Sequence, residues 1–126
     1  MIHEEICTYE VCKLAKEKGF NEKCYHYYQN GVLGSDECFN HYIKGIVSIC
    51  SAPTQSLLQR WLREEKALHI QITLWEKGWY NDIWAFEYYK EEEKEYSARQ
   101  IHQSTDFDTY ELALEDALKY ALENLA

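Results

Sequence analysis

The spacing of apolar and polar residues changes character several times along the chain, and each change marks an element. Leu57, Leu58, Trp61 and Leu62 recur at the period of a helix, with Gln55, Gln59, Arg60, Arg63 and Glu64 on the other side. A helix is therefore predicted from Pro53, which suits a first turn, with Ser51 as N-cap. From Leu68 the period falls to two: Leu68, Ile70, Ile72 and Leu74 alternate with His69, Gln71, Thr73 and Trp75, the pattern of a half-buried strand. Glu76, Lys77 and Gly78 supply a turn, and a second alternating run sets Trp84, Phe86 and Tyr88 on one face. The expected product is a hairpin under a helix, with Trp61, Trp84 and Phe86 buried together for roughly 2–3 kcal/mol each.

The flanking stretches carry weaker versions of the same signals. Thr8 to Lys18 reads as a first helix, capped by Thr8 and ended by Gly19. Cys24 to Tyr28 forms a short aromatic strand, Asn30-Gly31 a hairpin turn, and Val32 the start of a partner strand. Gly34-Ser35-Asp36 is expected to be a loop, and Tyr42 to Cys50 a buried strand. Lys90 to Glu95 reads as a solvated turn or edge and Tyr96 to His102 as another strand. The last helix opens at Asp108, whose spacing to Glu111 fits a capping box, and carries Leu112, Leu114, Ala117, Leu118, Ala121, Leu122 and Leu125. Residues 9–31 and 55–78 share the order helix, strand, glycine turn, which suggests a repeated helix-strand-strand unit. The predicted class is α+β: one domain over 1–126, two layers, three main helices on a mainly antiparallel sheet.

Composition narrows the functional classes more than it names one. A single proline and no Ser/Gly-rich linker leave no domain boundary. The amino terminus is charged where a signal peptide is apolar, and no long uncharged apolar run occurs, so a soluble, cytoplasmic protein without a membrane segment is expected. The net charge is −9, and residues 90–126 hold ten acids against four bases. Such a surface repels phosphate backbones, so no direct nucleic-acid binding is expected. Cys7, Cys12, Cys24, Cys38 and Cys50 are odd in number and lack a C-x-x-C pair, and they read as thiols packed as small hydrophobes in a reducing compartment.

Candidate chemistry is sparse. Cys24-x-His26 and Cys38-x-x-His41 bring together the ligand types of a tetrahedral zinc site, although C-x-H on a strand provides no knuckle; a Zn-stabilised structural domain is one alternative. His102 with Asp106 or Asp108 has the residue types of an acid/base pair and defines a second, a small hydrolase, although Asp108 is already used as a cap. The glutamates from Glu91 to Glu95 have no neighbour to shift a pKa and read as solvated. No G-x-S-x-G, H-E-x-x-H, P-loop or dinucleotide fingerprint occurs, so neither catalytic residues nor a cofactor is assigned. Outward-facing aromatics are the better lead. With Leu68 to Leu74 turned to the core, His69 and Trp75 face out, and Trp79 and Tyr80 sit at the hairpin tip, where large rings anchor partners.

PTQSLLQRWLREEKALHIQI, with YEVCKLAKEKGF before it and TYELALEDALKYALENL at the end, resembles a group of small uncharacterised proteins from gut anaerobes and their phages or other mobile elements. Pro53, Thr54, Gln55, Trp61, Leu62, Arg63 and Glu64 carry the match. The resemblance implies a bacterial cytoplasmic setting and brings over no activity and no site residue. The expectation is a non-catalytic protein-interaction module with an unidentified protein partner, self-association as a homodimer included. One version has the acidic surface imitate phosphate charge to block a nucleic-acid-binding enzyme.

Overall fold

The structure, a computed structural model, describes residues 2–90 and 95–126, with side chains for 2–86 and 97–126. In chain order the elements are α1 (Tyr9–Glu17), β1 (Cys24–Gln29), β2 (Val32–Phe39), β3 (Tyr42–Ile43), β4 (Val47–Ser48), β5 (Cys50–Ser51), α2 (Gln55–Lys66), β6 (Leu68–Trp75), β7 (Gly78–Lys90), β8 (Glu95–Phe107) and α3 (Tyr110–Asn124). The α+β class holds: among the described residues there are three helices, and every strand pair is antiparallel. The strands divide between two sheets where one was expected, a five-stranded sheet in the order β4-β3-β2-β1-β5 and a three-stranded sheet β6-β7-β8.

Each helix starts behind a threonine. The hydroxyls of Thr8, Thr54 and Thr109 accept from the N–H of Val11, Leu57 and Leu112, at 3.3, 3.2 and 3.1 Å. This moves two predicted starts. Pro53 lies outside α2, where its carbonyl accepts from Cys7 N at 3.0 Å beside the antiparallel bridge Ile6↔Thr54. Ser51 belongs to β5 and spends its hydroxyl on His41 N, so it caps nothing. At α3 the cap is Thr109 and not Asp108. Gly19 ends α1 in the left-handed region, φ +97°, as its position predicts.

Two further expectations change. Gly34 to Asp36 continue β2 without a loop. The glycine serves packing: a Cβ on Gly34 would stand 2.5 Å from Cζ of Tyr27, its cross-strand partner, so the tyrosine ring lies where any other side chain would begin. Tyr42 to Cys50 holds β3, β4 and the first residue of β5 in place of one strand, and Lys44 and Gly45, at φ +53° and +72°, break the run between β3 and β4. The expected turn over Lys90 to Glu95 lies outside the described residues at 91–94, and so does the side chain of Tyr88.

One continuous core joins the halves. Ala113, Leu114, Ala117, Leu118, Ala121 and Leu122 are all buried on α3. Three alanines spaced by four let this helix approach closely, and it packs against α1, α2 and all three strands of the smaller sheet. Glu115 of α3 ties the other two helices to it: Oε2 accepts from Thr8 N and Oγ1 at 3.1 Å each, and Oε1 from Gln55 Nε2 at 3.0 Å. A carboxylate facing two helix starts is the favourable sign for both dipoles. Among the described residues no helix is long and apolar enough to cross a membrane.

Candidate functional site

The site residues are sorted by the register of one hairpin. The two-residue turn Glu76-Lys77 closes β6 on β7, and pairing runs without a shift from Trp75↔Gly78 to Leu68↔Ala85. Gly78 takes φ +129°, and a Cβ there would stand 2.7 Å from the Phe107 carbonyl oxygen, so the turn and the third strand both require glycine. Residues directly opposite share a face of the sheet. His69 is opposite Trp84, and Phe86 follows two residues on, so both rings lie on the side away from the helices. The expected burial of Trp84 and Phe86 beside Trp61 does not occur. Asn81, Ile83 and Ala85 hold the helix side of β7, and Trp61 packs edge-on to Phe20 with ring centroids 5.5 Å apart. Leu68, Ile70 and Ile72 face the core as expected, whereas Leu74 is exposed.

The outward face of the three-stranded sheet is a grid centred on Asp82. Gln71 lies across from it on β6 and Gln103 on β8. Tyr80 and Trp84 flank it along β7, each about 7 Å away at a strand's rise. Trp75 meets Tyr80 edge to face at 6.2 Å, and His69 meets Phe86 at 6.0 Å. Trp75 is 61% exposed and Phe86 36%, but Asp82 only 6%. Its Oδ1 accepts from Gln103 Nε2 at 2.8 Å and from Gln100 Nε2 in a shorter bond. Among the described residues nothing donates to Oδ2, and no lysine or arginine pairs with the carboxylate. His69 Nδ1 is buried and, among the described residues, has no partner.

Of the residues singled out in the sequence, His69, Trp75 and Tyr80 meet on this face. Trp79 does not: it lies on the helix side, edge-on to Tyr110 of α3 at 5.5 Å. Trp84, Phe86, Asp82 and the glutamines were missed. The signal for the β7 members was present, since counting back from a two-residue turn pairs Trp84 with His69.

The thiol and imidazole groups lie in the other half. Cys24 and Cys38 are cross-strand partners, and Cys38 Sγ donates to the His26 carbonyl at 3.3 Å. His41 Nδ1 accepts from Ser51 N at 3.0 Å, so Nε2 carries the proton and donates to the Phe20 carbonyl. Both ring nitrogens are thereby occupied by backbone, and burial holds the imidazole below its ordinary pKa, in the neutral form. Among the described residues no group of three or more His, Cys, Asp or Glu is placed to hold a metal. All five cysteines are free and buried. Burial pushes the Cys24 thiol up to about 12 and Cys50 up to about 11. Hydrogen bonding with Cys12, then burial, raises Cys7 as well. Thiols so protonated are poor nucleophiles and poor ligands.

His102 stacks on Tyr120 of α3, ring centroids 3.5 Å apart and planes at 11°. Asp106 accepts from the Thr105 hydroxyl at 3.4 Å. With Asp108 it lines a groove of about 400 Å³ beside Glu10, Glu115 and Lys119, to which His102 does not contribute. A second groove, of about 970 Å³, has Ile6, Tyr25 and Leu57 among its walls and Lys23, Arg60 and Arg63 as its cations. Lys23 is paired with Glu37 at 2.8 Å and Arg60 with Glu64 at 3.0 Å. The glutamates at 91–93 lie outside the described residues. No protein-family model, curated protein or solved structure matches the chain.

Proposed function

We propose that the chain is a non-catalytic protein-interaction module whose binding surface is the outward face of the three-stranded sheet. The observation that carries this reading is the concentration of Trp75, Tyr80, Trp84, Phe86 and His69 on the side of the sheet turned away from the helices. Large rigid rings bury much area at little entropic cost, and a face that gathers them while leaving Trp75 in water gains from a partner. The partner is a protein, a second copy included; the net charge of −9 disfavours nucleic acid. The hydrolase and zinc alternatives have no comparable support, since His102 is stacked away from Asp106 and Asp108 and His41 has no free nitrogen.

The test is native mass spectrometry of the protein isolated gently from its own cells, wild type beside Trp75→Ala and Trp84→Ala. A stoichiometric protein adduct or a dimer that both variants lose is expected. An adduct that both variants retain, or a bare monomer throughout, contradicts the proposal.

A further inference from the structure

The face described above has at its centre a buried carboxylate that, among the described residues, has no cation beside it. A carboxylate that is 6% exposed has lost most of its hydration and needs compensation. Among the described residues, Asp82 receives two neutral amides on Oδ1 and no cation. Its Oδ2 is not sealed in: the only fully buried side-chain nitrogen and oxygen atoms without a partner, among the described residues, are His69 Nδ1 and Asn81 Oδ1. The rest of the grid reinforces the sign. Tyr80 and Trp84 flank the carboxylate along β7, and an aromatic face attracts cations. The neighbouring strand β6 carries no lysine, arginine, aspartate or glutamate.

We infer that the face takes an arginine side chain of a basic partner protein, seated on Asp82 between Tyr80 and Trp84. This rests on the proposed binding surface and adds the chemistry of its partner. A guanidinium supplies what the position lacks: a planar cation that stacks on an aromatic ring while its N–H groups donate to a carboxylate. A lysine ammonium has the charge without the plane. A neutral polyol could hydrogen-bond to the carboxylate and to the glutamine amides but would bring no positive charge to a buried anion, which a guanidinium does. The grooves beside α1 and α2 include none of these residues, so the seat proposed here is separate from both. The charge of −9 draws a basic partner from a distance.

The experiment is a titration of the isotope-labelled protein with N-acetyl-arginine amide, followed by two-dimensional amide NMR, with N-acetyl-citrulline amide and N-acetyl-lysine amide as controls. Saturable shifts are expected at the backbone amides of Tyr80, Asp82 and Trp84 and at the side-chain amides of Gln100 and Gln103. Citrulline should produce none and lysine weaker ones. Asp82→Asn keeps an acceptor for both glutamines and should weaken the arginine probe by roughly tenfold or more. Tyr80→Leu, which leaves that network alone, should weaken it by a smaller factor. Equal shifts from citrulline, shifts confined to other surfaces, or unchanged affinity in both variants overturn the inference. Failure here is separable from failure of the binding surface. If the native complex still depends on Trp75 and Trp84 while the arginine probe gives no shifts, the surface stands and its arginine occupant falls.

Discussion

The two sheets treat their polar groups in opposite ways. Around the five-stranded sheet the chemistry-bearing side chains are consumed by the fold. His41 uses both ring nitrogens and its own backbone to hold Phe20, Ser51 and Ile49 together. Cys38 leans on a carbonyl, and Lys16 donates to the Ile49 carbonyl at 3.0 Å. In the three-stranded sheet the accounts stay open. Among the described residues, both buried side-chain atoms without a partner, His69 Nδ1 and Asn81 Oδ1, belong to it, as does the carboxylate of Asp82, which has two amide donors and no cation. Asn81 satisfies only its amide nitrogen, toward Ala113 O at 2.9 Å and Asp116 at 3.2 Å. Buried polar groups are nearly always paired; Asn81 Oδ1 lies on the helix side, out of a partner's reach, whereas His69 and Asp82 lie on the outward face, where a partner could still supply what they lack. A cysteine and histidine cluster is thus not automatically the reactive part of a protein, and a sheet rich in tryptophan is not automatically its core.

The sharpest way to break the comparison is to open the closed half. His41→Ala strands the Phe20 carbonyl and the Ser51 N–H and leaves a void, and should cost about 3 kcal/mol in urea unfolding. An effect below a quarter of that would mean the five-stranded half is less closed than its hydrogen bonds imply. Gly34→Ala forces a methyl into the Tyr27 ring and should cost about 2 kcal/mol, with much of it recovered by adding Tyr27→Ala.

Acid gives a milder probe of the same closure. Burial places the His41 pKa in the folded protein below the ordinary 6.5, so the unfolded chain takes up the proton first. Stability should therefore be complete above pH 6.5 and fall as pH drops from there toward the lowered value, and the slope should flatten in His41→Ala. The smallest effect belongs to the open face. Trp75→Ala should change stability by no more than about 0.5 kcal/mol, because the ring is mostly in water. A large loss there would mean that the ring is structural and would remove it from the proposed surface.

Much of the fold was legible because it rests on local signals. The apolar stripe of α2, the alternation of β6 and the Asn30-Gly31 turn each appear within a dozen residues. Thr8 caps α1 as expected, but the caps of α2 and α3 moved, from Ser51 to Thr54 and from Asp108 to Thr109, because serine, proline and aspartate nearby carry similar cap signals, and only the bridge Ile6↔Thr54 decides among them at α2. The division into two sheets was not legible, since it depends on long-range pairing. The candidate site was half legible. His69, Trp75 and Tyr80 followed from alternation on β6 and the hairpin tip, but Trp84 and Phe86 were assigned to the core on hydrophobicity, where register decides the face. Gln100 and Gln103 could not be found at all, because their shared contact with Asp82 spans a shift in the β7–β8 pairing.

The most direct test of the central claim is hydroxyl-radical footprinting of the protein in a lysate of its own cells, compared with the purified protein. Both halves expose aromatic rings, Trp75 and Phe86 on one, Tyr25, Phe39 and Tyr42 on the other, so each serves as the other's control. Protection of Trp75, Tyr80, Trp84 and Phe86, with Tyr25, Phe39 and Tyr42 oxidised as before, is the predicted result. Protection of the second group alone, or of neither, contradicts the account.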